Sequence, residues 1–476
     1  MIFYKRKLFI ILATLLITGL FLAALLDKAL FFGFLLVIFL SSIVFFIFYK
    51  FKIANKALCS LFLITFFLHL AMALFIYYAN FQPFGAGDFV IYQEIAEQVS
   101  QRINAGNFSL EGINYLHGYP VLIGAIYSIT APEMIVGQLF SVWLSAISVL
   151  LAYLIALEIG CSKKSAFLTG LIVCIYPSFL YFGSLMLKDI VVVSLVLLGI
   201  LLSIKIFKNF TVLKFLAFFA VLTFTIHLRF YIGFALMFSF IICWFLASNL
   251  KIRKRTIYGL AFILILGFSP QLLGYGYYGT IPLYGYLNKK TIITYREVVY
   301  APLPAKNNNI TNTNVENSGV GSSFVVKTGL DESSFVFIKN YFKSFIYAFL
   351  GPFFWQIKYQ RHLFFLFETI PWYFLISFIV YGLYKLFKKS GIAQLFYHYR
   401  FAVIILVFGA MALGALSLFI NNFGIIVRIR MPVFITIFCL IGLNKNIDNI
   451  LEKITYYFYE KKFNKFFGLP DLQERT

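Results

Sequence analysis

Long apolar runs separated by short charged or turn-forming segments extend through most of the chain. A membrane-spanning helix needs about 20 consecutive apolar residues, and twelve runs are candidates by this measure. They cover residues 8–26, 29–49, 57–79, 134–159, 165–186, 190–207, 212–227, 231–249, 256–274, 369–387, 401–420 and 431–443. Because helices satisfy their own backbone hydrogen bonds in lipid, the pattern predicts an all-α polytopic integral membrane protein with about 12 transmembrane helices.

The first of two long segments between the runs, residues 80–133, shows helical patterning. The stretch DFVIYQEIAEQVSQRI from Asp88 repeats apolar residues at helical spacing with polar residues between them. The stretch YPVLIGAIYSIT from Tyr119 is apolar but too short to cross a bilayer. We therefore expect two helices that lie along the outer membrane surface.

The second long segment, residues 275–368, combines a polar stretch with an apolar one. The polar, low-complexity residues 307–323 are expected to be mobile. We interpret 335–357 as a surface or re-entrant helix, because a crossing there would place the basic C-terminal tail outside. The predicted organisation is a transmembrane domain over 1–443 and a basic cytoplasmic tail over 444–476.

Composition supports the membrane class and the charge orients it. Hydrophobic residues make up 62% of the 476 residues and charged residues 12%, which excludes a water-soluble protein. With both termini cytoplasmic and the first run kept as an uncleaved span, 25 of 40 basic but 6 of 18 acidic residues face inward. The net charge of +22 thus divides into +19 inside and +3 outside. Since this asymmetry is a topology signal, it does not imply nucleic-acid binding.

Ionisable residues are almost absent from the predicted spans and gather at their outer ends. His69 is near the middle of a run, and a helix-to-helix hydrogen bond is a better account of it than a proton relay. The outer turns contain Asp88, Lys188, Asp189, His227, Arg229, Arg428 and Arg430. Each carboxylate could cap a helix and each cation could extend to lipid headgroups. As a set, they favour a functional site.

These residue types suit transfer from a lipid-linked phosphate. Cations at headgroup level can hold an anionic phosphate and stabilise it as it leaves, and a carboxylate can take the proton from an attacking hydroxyl. Arginine can hold phosphate oxygens in pairs, whereas lysine acts as a mobile point charge. The set therefore predicts a lipid-phosphate site at the outer face.

Several motifs together resemble the GT-C superfamily of polytopic glycosyltransferases, which use polyprenyl-phosphate-linked sugars and include protein O-mannosyltransferases and lipid A aminoarabinose transferases. They are GAGDFVIYQEIAEQV, HGYPVLIGAIYSI, YPSFLYFGSLMLKDIVVVSLVLL and RIRMPVFITIF, and they occur in order from Asp88 to about residue 438. The resemblance implies a GT-C-like fold with surface helices in the first outer loop.

The resemblance also implies an inverting transferase with Asp88 as catalytic base. Lys188 and Arg430 match family-like positions for phosphate ligands, and we add Arg229 and Arg428 from the cation pattern. Candidate substrate contacts are Tyr92, His117, Tyr119, Asp189 and His227. Metal-dependent members carry paired acids, but the nearest acid along the chain from Asp88 is Glu94. Glu94 and Glu97 could bind a divalent cation, although a solvated helix face accounts for them better, so no cofactor or metal requirement is predicted.

We therefore expect a sugar to pass from a polyprenyl-phosphate-linked donor to a hydroxyl of a lipid, glycan or protein. The expected location is a bacterial inner membrane, with the active site on its extracytoplasmic side. Two alternatives remain open. A polysaccharide polymerase or ligase that uses lipid-diphosphate-linked glycans would also gather arginines at the outer face, and a lipid-sugar flippase or other transporter would need a polar path through the bundle.

Overall fold

The computed structural model describes residues 27–53, 55–83, 87–113, 117–272, 285, 287–299, 333–356, 363–420 and 423–444. Nearly all of these residues are helical, and no strand occurs among them. The predicted first span at 8–26, the polar stretch 307–323 and the tail beyond residue 444 lie outside the described residues.

The helices follow the apolar runs of the sequence. In chain order they are α1 Lys28–Lys50, α2 Lys56–Ala79, α3 Asp88–Asn104, α4 Gly118–Ile129, α5 Met134–Glu158, α6 Lys163–Ile175, α7 Pro177–Phe182, α8 Lys188–Lys208, α9 Val212–Leu228, α10 Phe230–Ala247, α11 Ile252–Leu272, α12 Lys289–Ile293, α13 Ser334–Leu350, α14 Leu363–Tyr399, α15 Val403–Phe419, α16 Phe423–Ile429 and α17 Met431–Phe438. A π-helical turn, Thr294–Val299, follows α12, and short 3₁₀ turns occur at Phe354–Gln356, Arg400–Ala402 and Ile441–Leu443.

Seven described helices are long and apolar enough to cross a membrane. They correspond to α1, α2, α5, α8, α10, a segment of α14 over Phe365–Lys385, and a segment over Arg400–Phe419 that includes α15. Shorter apolar helices cover Gly118–Ile129, Val212–Leu228 and Met431–Leu443. The chain is therefore a multi-pass membrane protein, while the count of about 12 spans stays a prediction.

The predicted span 165–186 is not one continuous helix. α6 ends at Ile175, Tyr176 adopts an extended conformation, and α7 begins at Pro177. Proline has no N–H to donate, and its ring disfavours a helical conformation in the residue before it. The chain leaves α7 at Phe182 and enters α8 only at Lys188, so a non-helical segment leads directly to the Lys188–Asp189 pair.

Polar side chains join the helices inside the bundle. His69 of α2 is fully buried, and its Nε2 lies 3.3 Å from the carbonyl oxygen of Cys174 in α6, which confirms the expected helix-to-helix hydrogen bond. Ser145 of α5 donates to the carbonyl of Gly183 at 2.9 Å. The hydroxyl of Ser184 donates to the carbonyl of His69 at 3.0 Å. These bonds fix the non-helical segment before α8 against α2 and α5.

The two helices expected in the first outer loop are present and pack on each other. α3 buries Tyr92, Ile95 and Val99 on one face, and α4 packs against that face. Gly124 of α4 allows this approach, since a Cβ atom there would lie 2.5 Å from the Cβ of Val99. This packed pair of helices begins at Asp88.

The expected helix at 335–357 is shorter than its apolar run. α13 ends at Leu350, and its Tyr341 hydroxyl donates to the carbonyl of Gly414 in α15 at 3.2 Å. Its C-terminal end packs near α14, where Trp372 Nε1 donates to the carbonyl of Phe349 at 2.7 Å. α13 thus packs against both α14 and α15. Its position relative to the membrane surface stays a prediction.

Candidate functional site

Asp88 and Arg428 meet although they are far apart in sequence. Asp88 is the first residue of α3, where a carboxylate is favoured by the positive end of the helix dipole. Arg428 comes from α16, and its Nη2 donates to Asp88 Oδ2 at 2.6 Å. This ion pair joins the start of α3 to the segment that precedes α17.

Asp189 lies on the other side of Arg428 and holds a second arginine. Arg428 Nε lies 3.0 Å from Asp189 Oδ2 in an ion pair, and Arg229 Nη2 donates to Asp189 Oδ1 at 2.5 Å. Arg229 joins α9 to α10, and its Nη1 donates to the hydroxyl of Tyr231 at 2.9 Å. Four segments therefore meet in one ion-pair chain, which runs from Arg229 through Asp189 and Arg428 to Asp88.

The four residues of this ion-pair chain differ sharply in the solvent exposure of their side chains. The side chains of Arg229 and Asp189 are 6% and 3% exposed, that of Arg428 is 16% exposed and that of Asp88 is 44% exposed. Asp88 uses Oδ2 for Arg428, and no described residue donates a hydrogen bond to its Oδ1. Asp88 is therefore the carboxylate that a substrate can reach.

Lys188 adds a third cation beside the ion-pair chain. It begins α8 directly before Asp189 and is half-buried. Among the described residues, its ammonium group has no hydrogen-bond or ion-pair partner. Counted by formal charge, Lys188, Arg229 and Arg428 against Asp88 and Asp189 leave a net charge of +1. The cluster is therefore an anion-binding arrangement that contains one accessible carboxylate.

Three buried side chains, those of Tyr92, His117 and Tyr119, adjoin the cluster. Tyr92 lies one helical turn after Asp88, and its hydroxyl shares a 3.0 Å hydrogen bond with Nε2 of His117. The ring of Tyr119 packs edge-on against Tyr92 with centroids 5.5 Å apart. The backbone N–H of Gly118 donates to His227 Nε2 at 3.3 Å, which ties α4 to α9. All five residues proposed as substrate contacts thus lie in or beside the cluster, and the contacts themselves stay predictions.

Burial and charge set the protonation of Tyr92 and His117. Burial, with the cations Lys188 and Arg229 nearby, lowers the pKa of His117 to about 3, so its imidazole is neutral near pH 7. Burial, with the negative charge of Asp88 nearby, raises the pKa of Tyr92 well above its usual value. Both side chains are therefore uncharged hydrogen-bonding groups next to a charged cluster.

Arg430 lies apart from the cluster, in contrast to its expected place beside the other cations. Its side chain is 0% exposed, and Nη2 and Nε donate to Glu368 Oε1 at 2.6 and 3.0 Å. Its Nη1 donates to the carbonyls of Ala348 and Gly351 at 3.0 and 2.6 Å. The guanidinium also stacks over the ring of Phe434, 4.6 Å from the centroid. A group enclosed in this way ties α13, α14 and α17 together, and a phosphate cannot reach it without rearrangement.

Sequence reasoning missed two of these carboxylate partnerships. Asp189 appeared as a substrate contact, and its pairing with two arginines was not foreseen, because the partners lie at distant positions in the chain. Glu368 was not singled out at all. Its signal is an acidic residue at the start of an apolar run, where a buried charge requires a partner.

An apolar cavity of about 210 Å³ opens beside Arg428. Its walls come from the start of α3, the α7 region and the segment before α8, the start of α14, and α16. They include Phe89, Tyr181, Phe182, Leu185, Phe365 and Arg428. The position of Arg428 allows one molecule to place an apolar chain in the cavity and an anionic group on the cluster.

The carboxylates near Asp88 do not form a recognisable metal site. The described residues contain no group of three or more His, Cys, Asp or Glu placed to hold a metal ion. Glu97 accepts a hydrogen bond from Gln93 Nε2 at 2.6 Å, and Glu94 is exposed. The guanidinium of Arg428 stands between Asp88 and Asp189, so a cation does not bridge the two acids in this arrangement. A lack of metal dependence stays a prediction.

Comparison with known proteins supports the resemblance found in the motifs. Residues 101–287, roughly two fifths of the chain, match the family model of dolichyl-phosphate-mannose-protein mannosyltransferases, a GT-C family domain. The match includes Lys188, Asp189 and Arg229, while Asp88 and Arg428 lie outside it. No curated protein matches the chain. The resemblance to GT-C glycosyltransferases is therefore confirmed over this central region.

Proposed function

We propose that this protein transfers a sugar from a polyprenyl-phosphate-linked donor to the hydroxyl group of an acceptor at the extracytoplasmic face of the membrane. The observation that carries the proposal is the ion-pair chain from Arg229 to Asp88 at the edge of the apolar cavity. A donor of this class has an apolar chain and a phosphate. The apolar cavity could hold the first and the adjoining cationic cluster the second. The match to mannosyltransferases supports the same donor class.

The proposed reaction is a single displacement at the anomeric carbon. The acceptor oxygen forms a bond to that carbon, and its proton passes to the carboxylate of Asp88. The bond between the anomeric carbon and the phosphate oxygen breaks, and the electron pair leaves with the lipid phosphate. Attack opposite the leaving group inverts the anomeric configuration.

The cations act on the leaving group. A phosphodiester donor carries one negative charge and the released lipid monophosphate gains a second, so stabilisation by Lys188, Arg229 and Arg428 grows as the bond breaks. Arg428 contacts Asp88, so the proposed base lies next to the arginine that would receive the phosphate. The donors of Arg430 are occupied by Glu368 and two backbone carbonyls, so this arginine does not bind the phosphate. It supports the arrangement by holding the backbone next to Arg428 in place.

The decisive experiment is the substitution Asp88→Asn in purified protein. We expect the rate of transfer from polyprenyl-phosphate-mannose, the first donor to be tried, to fall by about 10²-fold or more, since an amide cannot accept the proton. Binding of a polyprenyl monophosphate, measured separately, should persist. The matched control is Glu111→Gln, the same change at an exposed position of the same loop, with transfer at the wild-type rate. Near-normal transfer by Asp88→Asn would remove the base assignment.

A further inference from the structure

The ion-pair chain has one fixed end and one exchangeable end. At the fixed end, Asp189 is 3% exposed and contacts both Arg229 and Arg428. At the exchangeable end, Asp88 is 44% exposed, and Arg428 is its only ion-pair partner among the described residues. Asp189 therefore pairs with Arg428 in a buried position, whereas Asp88, which has the same charge, pairs with it in an exposed position.

Asp189 brings together two cations that repel each other. Arg229 and Arg428 come from segments about 200 residues apart, and each uses one oxygen of this single carboxylate. Asp189 lies in the first turn of α8, so its backbone is fixed by the helix. Without it, two like charges would have to stay close in a poorly solvated site, which is unfavourable.

Arg428 also faces the route by which an anion would arrive. It lines the apolar cavity together with Gly87 and Phe89, the residues on either side of Asp88. A phosphate at the cavity mouth would compete for Arg428 Nη2, which Asp88 occupies in this structure. The buried contact between Arg428 Nε and Asp189 is out of reach of such a competitor.

We propose that Asp189 is a positioning residue that holds Arg229 and Arg428 for the lipid phosphate, and that the phosphate replaces Asp88, not Asp189, on Arg428. The inference rests on the proposed function, because it concerns the same donor site. It assigns opposite effects to the two acids of one cluster: Asp189 builds the phosphate site, whereas Asp88 competes with phosphate until the donor binds.

The test compares the same charge change at the two ends. Asp189→Asn and Asp88→Asn each remove one negative charge from the cluster, and electrostatics alone predicts tighter binding of an anion in both. We expect Asp189→Asn to weaken binding of a polyprenyl monophosphate in detergent by about tenfold or more, since the arginines lose their common anchor. Asp88→Asn should strengthen binding by a few-fold. Glu111→Gln, the exposed control, should leave the affinity unchanged.

The sign of the effect at Asp189 decides the question. Unchanged or tighter binding by Asp189→Asn would overturn the positioning role while leaving the proposed function intact. If the wild-type protein itself fails to bind the polyprenyl monophosphate, the proposed function fails instead. Asp189→Glu is the second variant if Asp189→Asn does not fold: it keeps the charge but displaces the carboxylate, so weaker binding supports positioning and wild-type affinity refutes it.

Discussion

The buried pair between Arg430 and Glu368 should make a large and non-additive contribution to stability. Arg430→Met removes the cation and leaves the carboxylate of Glu368, 2% exposed, without its partner. Breaking a buried pair from one side typically costs about 3–5 kcal/mol, because an uncompensated charge stays buried. The carbonyls of Ala348 and Gly351 also lose their donor. We expect a loss of free energy of unfolding of about 4 kcal/mol.

The double variant Arg430→Met/Glu368→Leu distinguishes the coupling energy of the ion pair from the contributions of the two side chains to other contacts. With both charges absent, no buried ion is left alone, so the double variant should be more stable than Arg430→Met and lose much less than the two single losses added together. We expect a coupling of about 2 kcal/mol or more, which exceeds the few tenths expected for independent sites. Arg430→Lys should recover only part of the loss, since an ammonium cannot contact the carboxylate and two carbonyls in the same geometry.

Equilibrium unfolding in detergent–dodecyl sulfate mixtures can measure these losses. Trp372 serves as a local probe, because its ring stacks on Phe434 with centroids 3.9 Å apart, next to Arg430. The control is Arg253→Met at an exposed position, with a change within about 0.5 kcal/mol. Additive losses in the double variant, or a loss below about 1 kcal/mol in Arg430→Met, would refute the view that this pair joins α13, α14 and α17.

Two further predictions concern α3 and α4. The pKa of His117 lies at about 3 in the folded protein against 6.5 for the free side chain, so the unfolded state takes up the proton first. Stability should therefore fall by up to about 1.4 kcal/mol per pH unit as the pH falls from 6.5 to about 3. His117→Gln should flatten this slope in unfolding titrations, and an unchanged slope would contradict the argument. Gly124→Ala places a Cβ 2.5 Å from Val99 and 2.9 Å from the carbonyl oxygen of Ala96, so it should lower the free energy of unfolding by about 1–3 kcal/mol and reduce transfer by displacing α3. Gly409→Ala, whose Cβ would lie 3.4 Å from its nearest neighbour, should change neither stability nor transfer. Equal thermal stability of the two variants would exclude the steric argument.

Local sequence patterns predicted the individual helices better than the contacts between them. The helical spacing after Asp88 is borne out by α3, because amphipathic periodicity depends only on neighbours along the chain. Residues 165–186 were predicted as one span, although the break before α7 has a local signal in Tyr176-Pro177, since the residue before a proline disfavours the helical conformation. In contrast, Arg428 meets Asp88 and Asp189 through the packing of three distant segments. No local pattern specifies which cation meets which acid.

The different roles of Arg428 and Arg430 follow from a spacing that was visible in the sequence. Residues two apart in helical conformation point to nearly opposite sides, so two arginines in the order Arg-Ile-Arg cannot both face one phosphate. In the structure Arg428 reaches the ion-pair cluster, while Arg430 turns inward to Glu368. Because the inward arginine fixes the chain where α16 meets α17, the outward one can exchange Asp88 for phosphate by side-chain movement alone. A buried ion pair would thereby supply the rigid backbone that an exchangeable ion pair needs, and loss of Glu368 should weaken donor binding through Arg428 without any contact to the donor itself.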